Sequence, residues 1–231
     1  MITDSDSDIR HDVAAACRGL AKHGLADLIG GHVSIRPEGS ESYWINVFDR
    51  AFGEITPDDV VEVAFDGTVL SGGRGVSLGV DFHSGIYAAR PDVGAIVHTH
   101  GPWISALAAF NRPPRMFHNL ATFFWGDCVL SPDDSFDSIS PALGSASTIL
   151  IPWHGAITVA GSVGRAAALH LTLEMAARLD VTLAGTDATP LPDEACASIR
   201  ALVERATYLD ETWAMLQRQA HEVSAPSSVA S

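Results

Sequence analysis

Two histidines at a spacing of two, His98 and His100, follow the apolar run Ala95-Ile96-Val97. In an extended strand successive side chains alternate between faces, so both imidazoles project the same way. Two imidazoles held side by side on a rigid strand end make half of a metal site. The other reading is a pair of ordinary polar residues where a strand leaves its sheet. His154 is the third candidate. It also stands at a strand end, in a Trp-His-Gly turn whose Gly155 lets backbone approach a ligand closely. Taken alone, it equally reads as a turn histidine. Three neutral imidazoles with an open position are the usual arrangement for a catalytic divalent cation, and they suit Zn, Mn, Fe or Co without choosing among them.

The chain that must position these residues has 231 residues, enough for a substantial core in one domain. Hydrophobic residues make up 47% of it and the mean hydropathy is +0.17, which excludes a disordered chain. No apolar run reaches the roughly 18 residues a membrane helix needs, so no membrane is expected. The net charge of −14 argues against nucleic acid, whose phosphates it would repel. It leaves an anionic substrate open, because a metal ion reverses the local sign. Cys17, Cys128 and Cys196 are odd in number and form no CxxC pair, so they read as free core thiols in a reducing compartment. The acidic, polar start is the opposite of a signal peptide, and a cytoplasmic protein is expected.

Ile9, Val13, Cys17 and Leu20 recur at helical spacing after a polar tail over 1–7, and Gly24 is a plausible stop. Leu25 to Gly31 reads as a turn. Strands are expected at His32–Arg36, Tyr43–Val47, Val60–Ala64 and Thr68–Leu70, with a short helix opened by Thr56-Pro57-Asp58-Asp59. The loop Ser71–Gly75 is glycine-rich but lacks the Gly-Lys-Ser/Thr of a phosphate loop. A helix is expected from Gly79 to Arg90, then the His98/His100 strand, then a helix around Trp103–Phe110. The aromatic run Phe117–Val129 reads as core or subunit interface, with a substrate wall as the alternative. Ser131–Ser140 reads as an acidic loop before a short helix near Ala142. Strands at Thr148–Ile151 and Ala156–Val159 follow, then helices over Gly164–Leu183 and Pro192–Gln219, with 221–231 as a second polar tail. Strands and helices alternate without a strict βαβ repeat, which implies a mixed sheet with helices on both faces.

Several blocks together carry a resemblance: Gly31-His32-Val33-Ser34-Ile35-Arg36, then the stretch from His83 through Ala88-Ala89-Arg90-Pro91-Asp92-Val93 to His98-Thr99-His100, then His154-Gly155. They resemble the class II aldolase/adducin family over most of the chain, from the first helix to about Glu174. The resemblance implies a single domain with a three-layer α/β/α fold and a central mixed, mainly antiparallel sheet. It further implies a homotetramer with sites between subunits, a divalent metal on His98, His100 and His154, and carbon–carbon cleavage next to a carbonyl.

Departures from the family pattern bear on the chemistry. Family aldolases carry a glutamate four residues before the histidine that matches His83, and here that position is Gly79. Asp81 and His83 are the nearby titratable candidates for acid/base work. Asp81 also reads as a helix-start acid, and His83 as a fourth ligand or a buried structural histidine. The family's phosphate-binding positions are matched by His32, Phe48-Asp49 and Ser77-Leu78, so the substrate is not expected to be a sugar phosphate. His32 and Arg36 are candidates for binding a substrate carboxylate, and Arg36 also reads as a surface cation. In the family the C-terminal segment can supply a proton donor to a neighbouring site, which makes Tyr208 a candidate.

The expected function is a metal-dependent lyase on a small unphosphorylated hydroxy or keto acid. Decarboxylation is favoured over aldol cleavage, because losing CO₂ needs an electron sink but no base to remove a hydroxyl proton. The alternatives are an Fe(II)-dependent oxygenase on the same scaffold and a non-catalytic adducin-like assembly module.

Overall fold

The computed structural model describes residues 4–25 and 28–221. Residues 1–3 and 222–231 of the expected tails, and 26–27 of the expected turn, lie outside the described residues. The first helix, α1 (Asp4–Ala21), begins earlier than its apolar periodicity indicates, so Asp4 to Ser7 are helix rather than tail. Val13, Ala14, Ala16, Cys17 and Leu20 form its buried stripe, and Gly24 follows it at φ +75°, a conformation costly for other residues.

Four strands come next: β1 (His32–Ile35), β2 (Ser42–Asn46), β3 (Val60–Ala64) and β4 (Val69–Ser71). Ahead of β3, Pro57–Asp59 forms a 3-10 turn whose Asp59 carboxylate accepts from the backbone N–H and hydroxyl of Thr56. Helix α2 (Val80–Ala89) leads to β5 (Ala95–Thr99), and α3 (Pro102–Ala108) follows. After β6 (Cys128–Leu130), α4 (Phe136–Leu143) takes up the second half of the stretch expected to be loop. Strands β7 (Thr148–Ile151) and β8 (Gly155–Ala160) complete one sheet, and α5 (Val163–Thr182) follows it.

The sheet order is β4-β3-β2-β1-β5-β8-β7-β6, and every pairing is antiparallel except β6 with β7. β5 lies in the middle and all five of its residues are buried. One face of its end carries His98, in register with His32 of β1 and packed on Phe82 of α2. The other face carries Thr99, which reaches His170 of α5. Helices thus cover both faces, and the architecture is the three-layer α/β/α arrangement with a mixed, mainly antiparallel sheet.

The C-terminal region corrects one expectation. Pro192–Gln219 is two helices, α6 (Asp193–Arg205) and α7 (Tyr208–His221), separated by Ala206 in an extended conformation at φ −76° and ψ 148°. No glycine or proline marks the break in sequence. Packing makes it: α7 lies against α1 and α5, where Leu216 fills the space beside Gly19 and Trp213 the space beside Gly164. The three cysteines are free and buried, as expected from their spacing.

Candidate metal centre

The end of β5 and the β7–β8 turn bring three imidazoles to one point. His98 Nε2 lies 3.0 Å from His100 Nε2, which lies 2.7 Å from His154 Nε2. All three nitrogens fall within 4.8 Å of one another. Tetrahedral Zn–N bonds of about 2.0–2.1 Å would set ligand nitrogens roughly 3.3 Å apart, so this donor set fits a first-row divalent cation.

The tautomers agree with that fit. His98 donates its Nδ1–H to the carbonyl of Ala156 at 2.9 Å, which leaves the Nε2 lone pair facing its neighbours. His154 donates its Nδ1–H to the carboxylate of Asp134, with the same consequence. Such outer partners fix ring orientation and raise ligand basicity. Burial, then the nearby imidazoles, hold His98 well below the usual histidine range. His100 is also lowered, by burial and by His154. Both rings are therefore neutral near pH 7, the state that binds a cation.

Backbone packing sets these positions. A Cβ on Gly155 would lie 2.3 Å from the carbonyl oxygen of Thr99, so the two strand ends touch only because residue 155 is glycine. The preceding Trp153 has φ +55°, in the left-handed region, and is 79% exposed. On the opposite face a closed polar network holds the strand exit. Thr158 donates to the carbonyl of Ala166 at 3.0 Å and so accepts from His170 Nδ1–H at 3.0 Å. His170 Nε2 then accepts from the Thr99 hydroxyl at 2.8 Å. Glu174, one helical turn further along α5, accepts from the N–H groups of Trp103 and Ile104 and caps α3.

The other candidates are distributed unequally. His32 is buried beside the centre, its ring 5.3 Å from that of His98, and neither of its ring nitrogens has a hydrogen-bond partner. Burial, with His100 and His154, lowers it to about 3. His83 lies behind His32, with ring centroids 5.6 Å apart, and is not among the converging nitrogens; its Nδ1 hydrogen-bonds Ser34 Oγ at 2.7 Å. The fourth-ligand reading of His83 is therefore corrected: its ring is one imidazole removed from the centre. Asp81 is exposed in the first turn of α2, where its charge faces water.

Arg36 is also corrected. It stands beyond the far end of β1, four residues from His32, and donates to the carbonyls of Tyr87, Arg90, Pro91 and Val93. Its guanidinium caps the end of α2 and stacks 5.0 Å over the Tyr87 ring, so it is committed to the fold. Tyr208 stacks on Phe123 and lines a hollow of about 300 Å³ with Trp103, Glu174 and Arg178, apart from the three histidines within this chain. Asp134 escaped the sequence reading. It is one of several acids between Ser131 and Ser140, and no spacing singles it out as the partner of His154.

The model of the family described as class II aldolase and adducin N-terminal domain matches residues 11–181. The chain is 32% identical over 200 residues to a 4-hydroxy-3-prenylphenylpyruvate oxygenase/4-hydroxy-3-prenylbenzoate synthase of Streptomyces roseochromogenus subsp. oscitans, covering 80% of this chain and 71% of that one. It is 31% identical over 210 residues to the decarboxylase NovR of Streptomyces niveus, covering 85% and 75%. Among solved structures, an L-fuculose 1-phosphate aldolase from Glaciozyma antarctica PI12 superposes with a TM-score of 0.87 at 26% identity, covering 95% of this chain and 91% of that one. Fold, site geometry and these relatives agree, and the chain belongs to the class II aldolase and adducin N-terminal domain family.

Proposed function

We propose that this protein is a divalent-metal-dependent lyase acting on a small unphosphorylated hydroxy or keto carboxylate, with decarboxylation favoured over aldol cleavage. The observation that carries the reading is the convergence of His98, His100 and His154 through their Nε2 atoms. A cation held there would supply Lewis acidity to the enolate that develops as the carbon–carbon bond breaks. The chain's own residues orient two of the three imidazoles through Ala156 and Asp134 and seat them at a strand end open to solvent on the His100 side.

Two features support decarboxylation of an unphosphorylated substrate. Gly79 offers no base to take a hydroxyl proton, which retro-aldol cleavage requires. Asp49, in the loop after β2, is ion-paired to Arg74, whose guanidinium also binds Asp59; the cationic fork there is occupied by carboxylates rather than open to phosphate. Resemblance to the NovR decarboxylase points the same way. The test is CO₂ release by purified protein loaded with Mn²⁺, Zn²⁺, Fe²⁺ or Co²⁺, offered a panel of hydroxy-aromatic and β-keto acids. Release from at least one is expected, and none from any overturns the reading.

A second reading is favoured by the Streptomyces roseochromogenus relative, whose name is that of an oxygenase. Three histidines with open positions also suit Fe²⁺. Oxygen uptake by the Fe²⁺-loaded protein in step with substrate loss would replace the lyase by this chemistry. A protein that takes up no metal would instead favour an assembly role. A homotetramer with sites between subunits and a cytoplasmic location belong to the same proposal; among the described residues no helix is long and apolar enough to cross a membrane.

A further inference from the structure

The loop before α2 meets the histidine cluster at Gly79. A Cβ built there would lie 2.4 Å from His32 Cε1, 2.9 Å from His32 Nδ1 and 2.9 Å from Phe82 Cε1. Those separations are well inside van der Waals contact, so residue 79 carries no side chain while His32 keeps its place. Backbone conformation is not the reason for the glycine: its φ of −61° and ψ of −7° suit any residue. Space is the reason. His32 in turn has little freedom, because its ring is packed among Phe82, His83 and His98 at 5.9, 5.6 and 5.3 Å and its backbone is registered opposite His98 in the sheet.

The imidazole is an unusual choice for filling that space. Both of its nitrogens are buried without a partner, and so is Nε2 of His83 beside it. Native proteins rarely leave such groups unpaired without a functional reason. Around the converging Nε2 atoms, the carboxylate hydrogen-bonded to a ligand imidazole is that of Asp134, and it sits on the far nitrogen of His154. The converging donors are all imidazole nitrogens, and a divalent cation held by donors that bring no negative charge keeps its full charge toward an incoming ligand.

We propose that His32 and Gly79 form one specificity device: the imidazole fills the space a side chain at 79 would enter, the protein adds no carboxylate there, and the site selects substrates that bring their own carboxylate to the cation. The device rests on the metal-dependent reading above and deepens it. His32 is a positioning residue in this scheme, acting through the space it denies to residue 79.

A melting cycle on metal-free protein tests the steric half. Gly79→Ala should lower Tm, and His32→Ala/Gly79→Ala should melt above Gly79→Ala alone, because removing the imidazole makes room for the methyl group. Additive losses would overturn the coupling. Cobalt titration with oxalate as the probe tests the selectivity half. Relative to the unaltered protein, His32→Ala/Gly79→Glu should bind Co²⁺ roughly tenfold more tightly and oxalate on the Co²⁺-loaded site roughly tenfold more weakly, read from the visible absorption of the cobalt. Unchanged oxalate affinity in that double variant would overturn the selectivity. Failure of the unaltered protein to bind Co²⁺ would sink the metal reading itself, while the metal-free melting cycle would still report on the coupling.

Discussion

Two buried imidazoles flank the middle of the sheet on opposite faces, alike in burial and in the direction of their pKa but not in their partners. His32, on the α2 face, and His170, on the α5 face, are buried, and each is lowered to about 3 chiefly by that burial. His170 has both nitrogens bonded, to Thr99 and Thr158. His32 has neither bonded and stands beside three ring nitrogens that converge. Burial and a depressed pKa therefore do not separate a structural histidine from a functional one here. Hydrogen-bond satisfaction is where the two differ: a closed network has nothing left to offer a ligand, and an open one does.

The largest expected effect tests whether the α2 face is the metal-binding side. His98→Ala should weaken Zn²⁺ or Co²⁺ binding by more than about 100-fold, beyond the range seen for outer partners, while His170→Gln should change it far less. Calorimetric titration of each variant would show this, and equal metal affinity in the His98→Ala protein would falsify the assignment. Next in size is a contrast in stability. His170→Leu strips partners from two buried threonines and should cost about 2–3 kcal/mol in denaturant unfolding of the metal-free protein, whereas His32→Leu removes no hydrogen bond and should stay within about 1 kcal/mol. Equal losses at the two sites would erase the distinction.

Beside His83 and His98, which burial also lowers, the same two residues contribute to the acid limb of stability. Each binds a proton more readily in the unfolded chain, with a pKa near 6.5, than in the fold, where it is about 3. Stability is therefore complete above the unfolded value and declines as the pH falls from about 6.5 toward 3, by at most about 1.4 kcal/mol per pH unit for each imidazole. His170→Gln should flatten that slope in urea melts taken at several pH values, and an unchanged slope would count against a neutral, buried His170. The smallest effect concerns Asp134, whose side chain is 56% exposed. Asp134→Asn should weaken metal binding by roughly tenfold through loss of His154 orientation, with little change in melting temperature. Unchanged affinity would leave Asp134 as a surface acid that happens to touch the ring.

Much of the scaffold is readable from local pattern. Apolar and β-branched runs locate seven of the eight strands to within a residue or two, while β6 lies at the end of a run that reads only as aromatic core or interface; the spacing of His98 and His100 places both rings on one side of a strand end. The Trp-His-Gly turn marks His154 because glycine there admits the Thr99 carbonyl. What the pattern cannot convey is which residues meet across the sheet. Arg36 looks like a free cation in sequence, yet in space four carbonyls surround it. Pro192–Gln219 reads as one helix, yet the fits of Leu216 on Gly19 and Trp213 on Gly164 fold it into two.

The sequence by itself thus picked out the three histidines that converge, because strand periodicity and glycine turns are local and survive without knowledge of neighbours. Only the tertiary structure decided what surrounds that set. The pairing of Asp134 with His154, the committed donors of Arg36, the bond from Thr99 to His170 and the collision between His32 and residue 79 all join positions 20 or more residues apart. Sheet register and helix packing create those meetings, and no local spacing encodes them. Gly79 shows the difference most plainly: in sequence it is a missing side chain, and in space it is a volume already filled by an imidazole.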